Sequence, residues 1–168
     1  MAEALRAVTT RIVLVSNAAD AETWLPGADV RRDHRAERGS LVGVHSALEE
    51  AGDAVFVVAW DMPFVTPALT RLVVERAQRA QFATLPESTH GAADGLEPMC
   101  AIYTRAALPF AEAALDEREF RLSRFIGRLP TVTRIPIDVI RTVGDPGRLF
   151  FNVNTADDLI AAERMANA

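Results

Sequence analysis

The sequence contains no lysine, so every basic side chain other than the three histidines is an arginine. Arginine binds phosphate through its planar guanidinium group, and it replaces a lysine ammonium group only in part. The 18 arginines face 23 acidic residues, which gives a formal net charge of −5. Because binding to a nucleic-acid backbone needs a basic surface, this balance predicts that nucleic acid is not a partner.

Cysteine and long apolar stretches are scarce as well. Cys100 is the only cysteine, which excludes a disulfide within the chain and fits a reducing compartment. No apolar run approaches the roughly 18 residues of a membrane-spanning helix, and the N-terminus has no apolar signal segment. The sequence therefore predicts a cytoplasmic protein without membrane association.

Short apolar runs alternate with amphipathic segments along the chain, whose 168 residues fit one domain over 1–168. This alternation predicts an α/β fold of the Rossmann-like, doubly wound type, a mainly parallel sheet with helices on both faces. Polar loops are predicted over 18–38 and 88–97. Predicted strands cover 12–17, 55–60, 82–86, 99–103 and, as an edge strand, 131–137; predicted helices cover 41–51, 67–80, 105–117, 121–129 and 155–166.

The stretch VFVVAWDMPF, residues 55–64, places a carboxylate directly behind an apolar strand. A run that is apolar on both alternations suits a strand covered on both faces, and Pro63 ends it. Asp61 then lies at the carboxyl edge of the sheet, where open α/β folds bind ligands. Two interpretations stay open, since Asp61 either binds a ligand or forms a turn. One carboxylate is enough for Mg²⁺ when a nucleotide supplies further oxygens.

The stretch DHRAERGSLVG, residues 33–43, leads into a predicted helix with Ser40 as its cap. Gly39 and Ser40 precede the amino end of this helix, whose free N–H groups and positive dipole can hold an anion. The alternative interpretation is a solvated loop followed by an ordinary helix cap.

The stretch FFNVNTADDL, residues 150–159, carries two amides. Asn152 and Asn154 alternate, so an extended segment points both in the same direction, where they can ligate a metal ion or a substrate. The alternative is that Asn154 or Thr155 caps the last helix.

The remaining reactive residue types indicate less. Histidines 34, 45 and 90 lack the spacing of a zinc site. Cys100 lies within an apolar strand, which predicts a packing role. Glu97 precedes Pro98 and is either an acid of the site or a loop residue.

Taken in order, several motifs resemble those of the molybdenum cofactor guanylyltransferases, a MobA-like family of nucleotidyltransferases. Ser40 and Val42 replace the usual proline and alanine of the family's helix start, and Trp60 replaces a common cysteine. No single motif is specific, but their order and spacing are. The motifs are RGSLVGVHSALE, VFVVAWDMPF, LEPMCAIY, EFRLSRFI and FFNVNTADDL.

The resemblance implies transfer of GMP from GTP to molybdopterin, with release of pyrophosphate and with Mg²⁺ as cofactor. It implies GTP and molybdopterin as substrates, and molybdoenzymes or proteins of the cofactor pathway as protein partners. Phosphoryl chemistry of this type needs alignment and charge neutralisation rather than a protein nucleophile. The implied residues are Asp61 for catalysis, metal and nucleotide; Asp33, Gly39 and Gly43 for the nucleotide; and Glu97, Arg121, Asn152 and Asn154 for the acceptor.

One part of the family pattern is not in these 168 residues. Family members open with a strand and a glycine-rich loop that carries a lysine and cradles the triphosphate. We therefore expect a domain that is N-terminally truncated relative to the family, with its first, central strand missing and with impaired activity. Loss of a central strand leaves the neighbouring strands with unpaired backbone groups.

Three explanations of this difference stay open. The sequence starts at an internal methionine, another chain supplies the segment, or the protein is a non-catalytic nucleotide-binding or interaction module. A related cytidylyltransferase is a further alternative, because the loop contributes to the choice of base.

Overall fold

The computed structural model describes residues 1–89 and 95–167, which form six strands and eight α-helices. His90 and part of the loop predicted over 88–97 lie outside the described residues. The strands are β1 Val13–Val15, β2 Asp29–Arg31, β3 Ala54–Val58, β4 Ala83–Pro86, β5 Cys100–Thr104 and β6 Thr133–Ile135. The helices are α1 Ala2–Arg6, α2 Ser40–Glu50, α3 Pro67–Ala77, α4 Leu108–Asp116, α5 Leu122–Ile126, α6 Ile137–Arg141, α7 Pro146–Leu149 and α8 Ala156–Ala166.

The strands form two sheets. Strands β1 and β2 pair in parallel, and the larger sheet has the order β3-β5-β4-β6. Within the larger sheet β6 is parallel to β4, whereas β5 is antiparallel to both β3 and β4. The helix-flanked α/β fold is confirmed. The larger sheet is mixed, because the strand predicted over 99–103 runs opposite to the other three and makes two of the three pairings antiparallel. The predicted edge position of β6 is confirmed too.

Strand β3 shows why a continuous apolar run is needed at this position. Val55 and Val57 pack into the core formed with α2, α4 and α5, and Phe56 and Val58 pack into the core that includes residues of α1 and α3. Because alternate side chains of a strand point to opposite faces, a strand covered on both faces must be apolar throughout. The predicted coverage of both sheet faces is thus confirmed.

A groove separates the two sheets. Strand β1 pairs only with β2, and β3 pairs only with β5, so each has one edge without a strand partner among the described residues. Residues of both strands line the groove. Backbone groups along these two edges therefore have no partner strand among the described residues.

Local predictions differ in detail. The sequence predicts a loop over 18–38, but this segment contains β2, in which Val30 is half-buried between two exposed neighbours. The predicted cap at Thr66 is present, since Thr66 Oγ1 accepts a hydrogen bond from Leu69 N–H at 3.2 Å. Among the residues that the structure describes, no helix has the length and apolar character to cross a membrane.

Candidate functional site

The groove between β1 and β3 has a volume of about 990 Å³, and its lining is apolar along the strands and polar near the end of β3. Along its length it is lined by apolar residues of the two strands, and by Ser40 and Gly43 at the start of α2. Polar groups gather beyond the last residue of β3, where Asp61, Glu97 and Asn152 contribute to the lining. The carboxyl end of the strand therefore presents acid and amide groups to an apolar groove.

Asp61 lies in the turn that follows β3. Its side-chain Oδ1 is buried, and no group of residues 1–89 or 95–167 donates a hydrogen bond to it. Its backbone carbonyl accepts a hydrogen bond from Val153 N–H at 2.9 Å. This bond holds the segment of the two amides against the end of β3, so the acid and Asn152 lie at the same end of the groove.

Asn152 and Glu97 complete the polar end of the groove. The Asn152 Nδ2 group donates to the Phe150 carbonyl at 3.2 Å, which leaves the amide oxygen as its acceptor atom. Glu97 is only 6% exposed, and its backbone N–H donates to the Pro86 carbonyl at 2.9 Å. Burial raises the pKa of the neighbouring Cys100 thiol, and the Glu97 charge raises it further, so Cys100 stays an uncharged packing residue.

Asn154 lies outside the groove lining and is exposed. Its backbone N–H donates to Asp158 Oδ2 at 3.1 Å, and Thr155 forms a capping box with Asp158 at the start of α8. The sequence left open whether Asn154 or Thr155 caps the last helix, and the structure shows that Thr155 is the cap. Only one of the two predicted amides, Asn152, therefore reaches the groove.

The capping box gives the segment 152–154 a pH-dependent support. The Thr155 hydroxyl and the backbone N–H groups of Asn154 and Thr155 hold the pKa of Asp158 below its ordinary value. A carboxyl group with a lowered folded-state pKa stabilises the fold above its unfolded-state pKa, and this contribution is lost as the pH falls through the folded-state value.

We expect the Asp158→Ala variant to have a lower Tm than the parent at pH 7 and the difference in Tm to shrink toward pH 3, measured by circular dichroism. A difference that stays constant with pH would contradict this.

Asp33 lies at the carboxyl end of the smaller sheet, outside the groove lining. Its Oδ2 accepts a hydrogen bond from Asn17 Nδ2 at 2.7 Å, and its backbone N–H donates to Asn17 Oδ1 at 3.1 Å. Ser46 Oγ of α2 lies 3.4 Å from Asp33 Oδ1. Asn17 comes shortly after β1 and Asp33 shortly after β2, and these two strands are parallel neighbours. The polar residues that follow two parallel strands are therefore the sequence feature that could have paired Asn17 with Asp33.

The start of α2 at Gly39 and Ser40 differs from the prediction in which residue caps the helix. Gly39, not Ser40, is the N-cap of α2, and no side chain caps the helix, so the prediction for Ser40 is wrong. The Leu41 N–H of the first turn donates to the Phe120 carbonyl at 3.2 Å, which occupies that amide. Gly39 lies outside the groove lining, whereas Gly43 lies on it.

Arg121 is separated from the polar end of the groove. Its side chain is 71% exposed and binds Glu119, with Nε 3.1 Å from Glu119 Oε1. It does not line the groove.

Two tryptophans stack at the groove, and the sequence patterns did not predict this contact. The rings of Trp24 and Trp60 stack with their centroids 5.1 Å apart and an angle of 10° between their planes. Both line the groove, and Trp60 is 69% exposed directly before Asp61. They are the only tryptophans of the sequence, so their fluorescence reports on this groove alone.

Comparison with protein families decides the relationship. Residues 1–132 match the family model of the MobA-like NTP transferase domain, which is more than three quarters of the chain. The chain belongs to this family. MobA-like domains are nucleotidyltransferases by their family description, and the groove is the candidate active site of this one.

Curated relatives of this MobA-like chain carry one name. The chain is 32% identical over 155 residues to the probable molybdenum cofactor guanylyltransferase of Pelotomaculum thermopropionicum. This match covers 92% of the chain and 73% of the relative. The chain is 31% identical over 132 residues to the molybdenum cofactor guanylyltransferase of Desulfosudis oleivorans, covering 78% of the chain and 63% of that relative. The match to the second relative thus spans less than two thirds of its length.

Solved structures agree with the fold. The molybdopterin-guanine dinucleotide biosynthesis protein A of Archaeoglobus fulgidus is 28% identical, with a TM-score of 0.76 over 92% of this chain and 78% of its own. The 2-C-methyl-D-erythritol 4-phosphate cytidylyltransferase of Thermus thermophilus, 20% identical with a TM-score of 0.59 over 95% of this chain and 83% of its own, shares the fold alone. The Rossmann-like nucleotidyltransferase fold of the MobA-like chain is thereby confirmed.

Proposed function

We propose that this MobA-like domain transfers GMP from GTP to molybdopterin, with release of pyrophosphate. One observation carries the proposal: a buried carboxylate oxygen of Asp61, which has no hydrogen-bond partner among residues 1–89 and 95–167, lies at the end of the groove that Asn152 also lines. The names of the guanylyltransferase relatives support the choice of substrates. We also propose a cytoplasmic location for the reaction, which is the location that the sequence predicts.

The proposed cofactor is Mg²⁺, held by Asp61. Magnesium prefers oxygen ligands and binds through one or two carboxylates together with substrate phosphates and waters. The Asp61 Oδ1 atom fits this requirement, because it is buried without a hydrogen-bond donor among the described residues. The bound ion would neutralise charge on the phosphates, and no protein nucleophile is needed for that chemistry.

The other residues take roles that follow their positions. We propose that Asn152 and Glu97, which line the groove beside Asp61, contact the acceptor. Gly43 leaves room along the wall of α2 for the nucleotide, since a Cβ added there would have no described atom within 4 Å apart from its chain neighbours and the nearby backbone of its own helix. The nucleotide roles of Asp33 and Gly39 and the acceptor roles of Arg121 and Asn154 rest on the family resemblance alone.

We further propose that an additional strand and a glycine-rich loop complete the site. Strands β1 and β3 offer facing edges without a strand partner in the described parts of the chain, and an apolar groove lies between them. The 168 residues contain no lysine that could neutralise the triphosphate. A chimera with a strand, a glycine-rich loop and a lysine of the family pattern joined before Met1 tests this, and we call it the extended chain.

The experiment measures pyrophosphate release from GTP with molybdopterin and Mg²⁺, together with GTP binding through tryptophan fluorescence. We expect the extended chain to show both, and the 168-residue chain to show much weaker activity. CTP in place of GTP distinguishes guanylyl from cytidylyl transfer.

Two outcomes would contradict the proposal. Release of pyrophosphate from CTP but not from GTP would favour the cytidylyltransferase alternative. A folded extended chain that neither changes its fluorescence with Mg²⁺ and GTP nor releases pyrophosphate would favour a non-catalytic interaction module.

A further inference from the structure

A second group of ligand-type side chains lies between α2 and α4. One ring nitrogen of His45 and one carboxylate oxygen each of Glu49 and Glu112 lie within 4.8 Å of one another. His45 and Glu49 are one turn apart on α2, so they share a face of that helix, and Glu112 projects from α4. We call these three residues the α2–α4 cluster. None of them lines the groove that holds Asp61.

His45 provides an observation independent of the two acids. It is 5% exposed, and its Nδ1 is buried without a hydrogen-bond partner in the described part of the chain. A buried polar atom without a partner is costly, so native structures leave few of them without a ligand, water or ion. Burial also lowers the pKa of His45, which favours the neutral imidazole that binds metals.

We propose that the α2–α4 cluster binds a divalent transition-metal ion of the zinc class through His45, Glu49 and Glu112. An ion at the centre of the cluster lies at most about 2.8 Å from each ligand atom, and zinc–ligand bonds measure about 2.0–2.2 Å. Rotation of the exposed Glu49 side chain, whose Oε2 lies 3.4 Å from His34 Nδ1, and of the half-buried Glu112 would close this difference. Water completes the coordination of the ion.

The ligand set separates this site from the proposed magnesium site. Imidazole selects zinc and neighbouring transition metals, whereas an all-oxygen environment with retained waters suits magnesium. An ion in the cluster links α2 to α4, and Ser40 and Gly43 of α2 belong to the wall of the groove. The expected role is therefore to fix α2 in place, and no catalytic step is assigned to the ion.

The test measures zinc binding to the untagged 168-residue chain by isothermal titration calorimetry, with Co²⁺ absorption as a second probe. We expect one zinc ion per chain, a higher Tm with zinc, and no competition from millimolar Mg²⁺. Glu112→Gln is expected to weaken binding at least about tenfold. Glu75→Gln, an exposed control on α3, and Asp61→Asn, in the groove, are expected to bind zinc like the parent.

The matched variants also define the results that would overturn the proposal. One is the absence of saturable zinc binding by the folded parent chain. Another is equal zinc affinity of Glu112→Gln and Glu75→Gln, and a third is loss of binding in Asp61→Asn, which would move the ion to the groove. Because Glu112 is not fully buried, its glutamine variant is expected to fold, and circular dichroism verifies this.

Discussion

Replacing Asp61 with asparagine in the extended chain should lower the rate of pyrophosphate release about 10²–10³-fold. Asparagine keeps the size of the side chain but removes the negative charge that we propose holds Mg²⁺. The Asp61 Oδ1 atom accepts no hydrogen bond from the described residues, so the substitution removes no hydrogen bond to that atom within them. Activity over a range of Mg²⁺ concentrations measures the effect, and the dependence on Mg²⁺ should shift to higher concentrations.

Asp53→Asn is the matched control for this prediction. Asp53 precedes β3 at its opposite end, is exposed, and does not line the groove. Its substitution changes the net charge of the protein by the same amount, so it controls for the effect of net charge alone. Equal activities of the two variants, or an unchanged magnesium dependence in Asp61→Asn, would reject the role of Asp61.

Replacing Gly39 with alanine should lower the free energy of unfolding by about 2–4 kcal/mol, since both overpacking and backbone strain oppose it. A Cβ at Gly39 would lie 2.7 Å from Phe120 Cβ and 2.9 Å from the Phe120 carbonyl oxygen, and the residue has a φ of 157°. The backbone oxygen cannot rotate away like a flexible side chain. The start of α2 must therefore move, and the Leu41 hydrogen bond to Phe120 is lost with it.

The same glycine-to-alanine change at Gly43 is expected to raise the free energy of unfolding instead of lowering it. Gly43 lies inside α2, and a Cβ added there would meet no described atom within 4 Å beyond its chain neighbours and the nearby backbone of its own helix. Alanine is favoured over glycine in a helix interior by about 0.5–1 kcal/mol, so this variant should be more stable than the parent. Urea unfolding with an unchanged m-value measures both variants. A Gly39→Ala variant as stable as the parent would show that the close approach to Phe120 carries no constraint.

The position of Asp61 could be predicted from the sequence because the physics there is local. An apolar run on both alternations requires two covered faces, and Pro63 limits where the strand can end. The direction of β5 could not be predicted in the same way, because an apolar run reads alike in either direction. It depends on the return of the chain after β4, where Ser88 N–H donates to the Gly95 carbonyl at 2.8 Å.

Contacts between distant segments explain the other differences. The cap of α2 was assigned to Ser40 from its residue type, but the Phe120 carbonyl, 80 residues further along, takes part in that helix start. Likewise, the histidines have no zinc spacing along the chain, and Glu112 joins His45 and Glu49 only through the packing of α4 on α2. The stack of Trp24 on Trp60 is another pairing that sequence periodicity does not contain.

The most direct measurement is a crystal structure of the extended chain with Mn²⁺ in place of Mg²⁺ and a non-hydrolysable GTP analogue. We predict an anomalous manganese peak at coordination distance from the Asp61 carboxylate, bridging to the phosphates at the polar end of the groove. A manganese ion bound to the nucleotide without contact to Asp61, or a nucleotide bound outside the groove, would contradict the account.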